Sequence, residues 1–228
     1  LSLRGDPRLI LPEESTVQAM LVTGSRGRGG FASLMLGSVS EHCARHATAP
    51  TVIVPAGAAS QADMNRIVVG VDGSTRARAA LDWAIVEAAC RGATLEVVHA
   101  WAHSHWTYTR TAQGMVTPGV LAPNNVEFLH DLVTVALDEA TERPPEVVRI
   151  STDDVASAAL IELARTASLL VVGSRGRGEL LGILLGSVSQ ACVHHTPCTI
   201  VVVHADETTE EGDSVRQSVV SGEDEVPQ

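Results

Sequence analysis

Short apolar runs alternate with amphipathic segments along residues 65 to 204. Apolar runs of this length, bounded by turn residues, are typical of buried strands, whereas apolar positions spaced three and four residues apart are typical of helices. The pattern predicts strands at 66–71, 95–101, 147–151, 169–173 and 199–203, with helices at 79–90, 130–142, 156–166 and 187–195. Because strand and helix alternate throughout, we predict an α/β fold with a doubly wound, five-stranded parallel sheet.

The predicted topology also indicates where a ligand would bind. In doubly wound sheets, ligands bind outside the carboxyl ends of the strands, at the point where the strand order reverses. Right-handed crossovers bring Asp72, at the end of the first strand, beside Gly173, at the end of the fourth. We therefore expect a ligand site between these two strand ends.

A glycine-rich segment at 173–189 has a near copy at 24–40. The match extends from about Leu1 to Val54 against Ile150 to Val203, with an offset of 149 residues. No residues precede Leu1 to match 65–149, so the first copy corresponds only to the last part of the second. The repeat therefore predicts a partial domain followed by a complete domain of the same kind.

The chain divides into four parts in this interpretation. They are a truncated domain at 1–54, a linker at 55–64, a complete domain at 65–204 and a disordered acidic tail at 205–228. The linker is rich in small and turn-forming residues, and the tail carries eight acidic residues against one arginine, with little apolar surface to bury. The initial Leu fits a fragment, a processed product or an unusual start codon, and the sequence leaves these three open.

Composition narrows the class of protein. Apolar residues make up 45% of the chain and aromatic residues 3%, which favours a core of Val, Leu, Ile and Ala in a sheet covered on both faces. No apolar run approaches the length of a membrane span, so we expect a cytoplasmic protein without membrane contact. The net charge of −11 argues against nucleic acid as a partner. Because the four cysteines form no Cys-x-x-Cys pair, we expect buried, reduced thiols on helices.

Each glycine motif follows an apolar run and leads into a predicted helix. Glycines let the backbone approach an anion closely, and free N–H groups at a helix start supply donors, so the arrangement suits a phosphate. A P-loop is excluded because it requires a lysine and the chain has none. The dinucleotide fingerprint also fails, because Gly176, Gly178 and Gly182 are spaced one residue too far apart. A purely structural strand-to-helix turn is the remaining alternative.

The glycine spacing resembles that of the ATP-binding branch of the universal stress protein family. The shared pattern is Gly, two residues, Gly, nine residues and Gly-Ser; the second copy meets it with Gly173, Gly176 and Gly186-Ser187, and the first with Gly24, Gly27 and Gly37-Ser38. The resemblance implies a Rossmann-like, adenine nucleotide α-hydrolase-like domain that binds ATP, with Mg²⁺ reaching the phosphates through water.

The resemblance also implies a role for each matching position. The acid that ends the first strand faces adenosine, a residue that ends the second strand lies against adenine, and the glycine loop with its Gly-Ser holds ribose and phosphates. The positions carried over are Gly70, Val71, Asp72, Ala100, Gly173, Ser174, Arg175, Gly176, Gly186, Ser187, Val188 and Ser189. Ala100 is the weakest match, because its small side chain offers adenine little apolar contact.

Several of these residues have a plainer interpretation. Asp72 fits an N-cap of the first helix as well as a ligand contact. Arg175 and Arg177 fit solvated surface residues as well as partners of phosphate charge. The first copy has no counterpart of Asp72, so we expect it to lack a complete pocket.

The function predicted on this basis is an ATP-binding regulatory protein of the stress response. Phosphoryl transfer requires a metal clamp and a positioned nucleophile, and the sequence shows no committed base, so we expect no enzyme, or a weak ATPase at most. The alternatives are an interaction scaffold of the same fold that binds no nucleotide, and a slow ATP hydrolase.

The last strand of each copy is apolar and comes at the edge of its predicted sheet. Apolar edge strands pair readily with other strands. In the family that this sequence resembles, final strands pair antiparallel across a two-fold axis. We therefore expect either a homo-oligomer or an intrachain pseudo-dimer through Thr199–Val203, with Thr51–Val54 as the second strand in the intrachain case.

Overall fold

The structure is a computed structural model, and it describes residues 4–15, 20–26, 36–56, 63–101, 107–110, 116–119, 125–144, 146–176 and 185–205. The helices are α1 (Pro7–Glu14), α2 (Ser38–His46), α3 (Thr75–Arg91), α4 (Asn125–Glu139), α5 (Ala156–Ala164) and α6 (Ser187–His195). The strands are β1 (Leu21–Gly24), β2 (Thr51–Val54), β3 (Asp63–Gly70), β4 (Thr94–Ala100), β5 (Thr107–Arg110), β6 (Val116–Gly119), β7 (Val147–Thr152), β8 (Ala167–Gly173) and β9 (Thr199–Val203). The predicted linker and acidic tail lie largely outside the described residues.

Seven strands form one sheet in the order β1-β2-β9-β8-β3-β4-β7. The five strands β9, β8, β3, β4 and β7 run parallel, which confirms the predicted doubly wound sheet. The chain builds outward from β3 to β4 and β7, then crosses to β8 and β9 on the other side of β3. The strand order therefore reverses between β3 and β8, where the topology predicts a ligand site.

The remaining two strands extend the sheet beyond β9. β2 pairs antiparallel with β9, with Val52 opposite Val201, and β1 pairs parallel with β2. The two strands expected to terminate their copies therefore pair within one chain. Association between chains stays a prediction.

The chain begins with a helix, a strand, a helix and a strand, which are α1, β1, α2 and β2. The last four elements, α5, β8, α6 and β9, follow the same order. This order is what a partial copy would produce. The division of the chain into a truncated and a complete domain stays an interpretation of that order.

Several element boundaries differ from the sequence prediction. β3 begins at Asp63 rather than Arg66, because Asp63 still pairs with Ala167 across an irregularity in the register. α4 begins at Asn125, five residues before its predicted start. The sequence did not predict α1, which contains Pro12 and buries no residue, or the β5–β6 hairpin.

α3 is fixed at both ends by its own sequence. Ser74 is the N-cap, and its hydroxyl oxygen accepts a hydrogen bond from the Ala77 N–H at 3.2 Å. Gly92 ends the helix in the left-handed conformation, with φ of 64°, which glycine adopts without strain. The start of α3 is thus held at the carboxyl end of β3, beside the expected ligand site.

The core has two layers, one on each face of the sheet. On the face packed by α3 and α4, the largest contributions come from Ile67, Val69, Leu95, Val97, Leu169, Val171, Val201 and Val203. On the face packed by α5 and α6, they come from Val68, Val98, Leu170, Val172, Ile200 and Val202. Strands buried on both faces explain the continuous apolar runs in the sequence.

On the face of the sheet that α3 packs against, matching residues of the two copies differ in how exposed they are. α3 packs on β8 and β9, and Val171 and Val203 are 0% and 4% exposed. Val22 and Val54, at the matching places in β1 and β2, are 55% and 39% exposed. The sheet therefore has an exposed apolar area on this face of β1 and β2.

The cysteines only partly match the prediction. All four are free; Cys43, Cys192 and Cys198 are buried, and the expectation of burial is wrong for Cys90, which is exposed on α3. Burial raises the pKa of the Cys192 thiol to about 12. In the described part of the chain, no helix is long and apolar enough to cross a membrane.

Candidate nucleotide site

Asp72 follows β3 and organises the turn into α3. Its Oδ1 accepts hydrogen bonds from the Ser74 N–H at 3.0 Å and from the Ser74 hydroxyl at 2.7 Å. Ser74 caps the helix, so the interpretation of Asp72 as the N-cap is wrong. The Asp72 carboxylate instead supports the capping residue and remains at the end of the strand.

The same carboxylate lies against the glycine loop that follows β8. A Cβ added to Gly176 would overlap Asp72 Oδ2, so a side chain at this position would displace the carboxylate. The structure thus brings the end of β3 and the loop after β8 into direct contact, as the topology leads one to expect.

Gly173 allows α3 to approach the end of β8. A Cβ at Gly173 would lie 2.8 Å from the carbonyl carbon and oxygen of Arg76. Real Cβ atoms do not approach backbone this closely, so any larger residue would push the first turn of α3 away. Gly173 therefore has a structural role that is independent of any ligand.

Hydrogen bonds join the start of the loop to the start of α6. The Gly186 N–H donates to Ser174 O at 2.7 Å, and the Ser189 hydroxyl donates to Gly173 O at 2.6 Å. The Ser174 N–H donates to Val203 O at 2.8 Å, which ties the loop to β9 as well. These bonds fix the two ends of the loop, while its central residues, 177–184, lie outside the described part.

The start of α6 presents backbone donors beside this loop. Gly186 is the N-cap and provides no side-chain cap, and the first intrahelical bond runs from Gln190 N–H to Gly186 O at 2.8 Å. The N–H groups of Ser187, Val188 and Ser189 precede that bond and so have no partner within the helix. Together with the helix dipole they favour an anion at this position.

Gly70 and Val71 are placed mainly by packing. A Cβ at Gly70 would lie 2.8 Å from Leu160 Cδ1 on α5, and Val71 is buried in the layer under α3. The Val71 N–H donates to Val98 O at 2.9 Å, and Val71 O contacts His99 Nδ1 at 3.0 Å. Both residues support the end of β3, and the described contacts give neither residue a direct ligand role.

Ala100 is set apart from the glycine loop. It ends β4, where it pairs with Thr152, and β3 lies between β4 and β8. The structure therefore gathers the Asp72, Gly173–Gly176 and Gly186–Ser189 groups, and leaves Ala100 on the far side of β3. A ligand would have to extend across β3 to reach it.

Two basic residues near the loop were missed by the sequence analysis. Arg76 lies in the first turn of α3 and is 5% exposed. His204 follows β9 directly, next to the residue that accepts the Ser174 hydrogen bond. Ligands of parallel sheets bind at the carboxyl ends of the strands, and this rule could have identified His204 because it follows β9. No sequence signal distinguishes Arg76 from an exposed helical arginine.

His204 lies in positively charged surroundings. Burial first, and then the nearby charges of Arg76 and Arg175, lower the pKa of His204 to about 4. In the part of the chain that the structure describes, the Arg175 Nε and His204 Nε2 atoms are buried without a hydrogen-bond partner. Unpaired polar atoms of this kind are costly unless a ligand or water completes them.

The glycine motif of the first copy folds in a similar way. The Gly37 N–H donates to Ser25 O at 2.6 Å, and the Ser25 N–H donates to Val54 O at 2.8 Å. A Cβ at Gly37 would lie 3.3 Å from Ser25 O, and one at Gly186 would lie 3.3 Å from Arg175 Cα. The first copy thus offers a matched control for the second, without a counterpart of Asp72.

A doubly wound sheet with a glycine loop at the strand reversal defines an α/β protein with a candidate ligand site at that reversal. The family model for the universal stress protein family matches residues 4–55 and 64–204. The chain therefore belongs to the universal stress protein family.

Curated relatives support this membership. Universal stress protein Rv1996 of Mycobacterium tuberculosis is 35% identical over 188 residues, which cover 81% of this chain and 58% of that protein. Universal stress protein Rv2005c of the same organism is 34% identical over 198 residues, covering 83% of this chain and 63% of that protein. The chain thus spans about three fifths of the length of these relatives.

Solved structures agree in fold. A universal stress protein from Archaeoglobus fulgidus is 22% identical with a TM-score of 0.55, covering 81% of this chain and 62% of its own. A protein named as a putative universal stress protein from Pseudomonas aeruginosa is 14% identical with a TM-score of 0.60, covering 94% of this chain and 74% of its own. A universal stress protein in complex with cAMP has 26% identity and a TM-score of 0.44, covering 64% of this chain and 98% of its own; its ligand is a property of that protein.

Proposed function

We propose that this chain is an ATP-binding universal stress protein with one nucleotide site in residues 65–204. The observation that carries the proposal is the contact between Asp72 and Gly176 at the strand reversal, beside the open N–H groups that start α6. A carboxylate that can accept hydrogen bonds from a sugar thus stands next to donors that suit a phosphate.

The residues present fit an adenine nucleotide. Backbone donors at Ser187–Ser189 and the buried Arg175 Nε offer partners for phosphate oxygens. Gly173, Ser174, Gly176 and Gly186 shape the loop around that position. Asp72 serves the ribose in this proposal, and Ala100 limits the base on the far side of β3.

Gly70 and Val71 belong to the proposed site through the backbone that carries Asp72.

Mg²⁺ would add charge neutralisation at the phosphates, since it favours oxygen ligands and retains several waters. No cluster of three His, Cys, Asp or Glu side chains that could hold a metal ion occurs among the described residues. In this proposal, the nucleotide phosphates and water would hold the ion. The cytoplasmic location remains a prediction from the sequence.

Isothermal titration with ATP tests the proposal, using Gly186→Ala and its matched control Gly37→Ala. The added Cβ meets a neighbour at 3.3 Å in both variants, so their structural costs are similar. We expect Gly186→Ala to lower ATP affinity at least tenfold, because the methyl group intrudes where the phosphate approaches. Gly37→Ala should leave the affinity unchanged.

Asp72→Asn provides an independent test of the adenosine side. It keeps the size of the side chain but replaces one acceptor oxygen by a donor. We expect weaker binding of both ATP and adenosine, with melting temperature checked in parallel. Nucleotide affinity that is equal in the wild-type chain, Gly186→Ala and Asp72→Asn would contradict the assignment of the site.

A second candidate function, protein binding without nucleotide, is favoured by the exposed apolar area at Val22 and Val54. Native mass spectrometry of the purified chain separates the two candidates. Copurifying adenine nucleotide supports the first, and a chain that binds no ATP in titration supports the second.

A further inference from the structure

Three basic side chains converge where β8 and β9 end. The Ser174–Val203 hydrogen bond of 2.8 Å places Arg175 and His204 on adjacent strand ends. A Cβ added to Gly173 would lie 2.8 Å from the Arg76 backbone, so the first turn of α3 packs against the same position. Arg76, Arg175 and His204 therefore reach one region from three different elements.

Two nitrogen atoms in this cluster are buried and unpaired. They are Arg175 Nε and His204 Nε2, which have no hydrogen-bond partner among the described residues. Leaving such atoms unpaired destabilises the fold, and an anion that accepts hydrogen bonds would offset that cost. An N–H of a guanidinium can donate at once. The His204 ring hydrogen-bonds to the Ala44 backbone, and Nε2 is the nitrogen left unpaired. With the single proton of the neutral ring on the other nitrogen, Nε2 donates only when the ring gains a second proton.

The described groups that act on the His204 ring come from three neighbouring elements. Arg76 from α3 and Arg175 from the loop after β8 contribute positive charge, and α2 contributes the backbone of Ala44. His204 thus lies between the glycine loop and the first copy. A negative ligand at this point would reverse the electrostatic effect on the ring and favour its protonation.

We propose that Arg76 and His204 join Arg175 in binding the distal phosphates of a nucleoside triphosphate, at the junction between the two copies. This inference rests on the proposed function and names the part of the ligand that the site selects. The ligand class is a polyphosphate anion. His204 takes up one proton from solvent when the anion binds, so that Nε2 donates to a phosphate oxygen.

The cluster would make the chain discriminate by phosphate number. Adenosine and AMP do not extend to the distal position, whereas ATP places its most negative group there. Charge-assisted hydrogen bonds are worth about 1.5–3 kcal/mol, which corresponds to roughly 10- to 150-fold in affinity. We therefore expect a preference for ATP over AMP that depends on His204 and Arg175.

The test is titration of the full chain with ATP, ADP, AMP and adenosine. His204→Gln keeps a polar side chain but cannot become cationic, and Arg175→Gln removes the guanidinium. Each should lower ATP affinity about tenfold or more and change adenosine affinity less than twofold. Arg26→Gln, at the place in the first copy that matches Arg175, should change neither.

A second readout needs no variant. Titration of the wild-type chain with ATP at pH 6 in buffers of different ionisation enthalpy reports proton uptake directly. We expect close to one proton taken up with ATP and none with adenosine. His204→Gln should abolish that uptake, while His195→Gln, an exposed histidine on α6, should preserve it.

The outcomes separate this inference from the proposed function. If the wild-type chain binds all four ligands and His204→Gln and Arg175→Gln bind them equally well, the phosphate cluster is refuted and nucleotide binding stands. Equal losses for ATP and adenosine would also refute it, because they would indicate a structural effect. A wild-type chain that binds none of the four ligands overturns both proposals.

Discussion

Val171→Ala and Val22→Ala form a matched pair of perturbations. Both valines lie on the α3 face of the sheet, at corresponding places in β8 and β1, and both substitutions remove the same two methyl groups. Val171 is fully buried, whereas Val22 is mostly exposed. Both variants lose the same strand propensity. The difference between their free energies of unfolding therefore measures how much the packing of α3 on Val171 stabilises the chain.

The size of the effect follows from the carbon atoms removed. Two buried methyl groups at about 0.8 kcal/mol each give about 1.6 kcal/mol, and the cavity left under α3 brings the total to about 2–3 kcal/mol. An exposed valine truncated in the same way should cost less than about 0.5 kcal/mol. For a chain of this length, the Val171 variant should melt about 4–10 °C lower than the Val22 variant.

Thermal and urea unfolding, followed by circular dichroism, measure the two variants side by side. The reasoning fails if Val22→Ala destabilises the chain as much as Val171→Ala does. That result would mean that the face of β1 is covered in solution. A melting temperature that rises with protein concentration for the wild-type chain, and less so for Val22→Ala, would identify a second chain as the cover.

Three further predictions follow from other parts of the fold. His204 becomes protonated below about pH 6.5 in the unfolded chain but only below about pH 4 in the folded chain. The free energy of unfolding should therefore fall as the pH is lowered from 6.5 to 4, by up to about 3 kcal/mol. Urea unfolding at pH 7 and pH 5 should show that His204→Gln loses less of this free energy than the wild-type chain. Deletion of residues 1–62 uncovers the β9 edge, so native mass spectrometry should detect dimers joined through Thr199–Val203, and a monomer would contradict this. Cys90 should react with a thiol reagent within minutes, while Cys192, whose pKa is about 12, should react only on unfolding.

The sequence predicted the strands of the sheet better than its other elements. β9 and α6 have the predicted bounds, because each is a strongly patterned segment between turn residues. The alternation of strand and helix predicted the parallel order of the five strands. The offset glycine motifs led to the partial-copy interpretation, which stays a prediction. Such local and periodic signals are those that a single sequence carries.

The missing information is tertiary. Nothing in the sequence marks Arg76 as buried, since its burial depends on the close approach that Gly173 permits. α1 lacks a buried face and so lacks the periodicity that would reveal it. The N-cap was assigned to Asp72 as an alternative because Asp and Ser are both good caps, and only the turn geometry selects Ser74.

Because β2 and β9 pair antiparallel, the strands on the two sides of this pairing run in opposite directions. Strands on one side of the pairing end at one edge, and β1 and β2 end at the opposite edge. The two glycine motifs therefore face away from each other, although their sequences are nearly the same. No single ligand can bridge them, and a substitution in one motif leaves the other edge untouched. The two similar motifs therefore occupy separate positions at opposite edges of the same sheet.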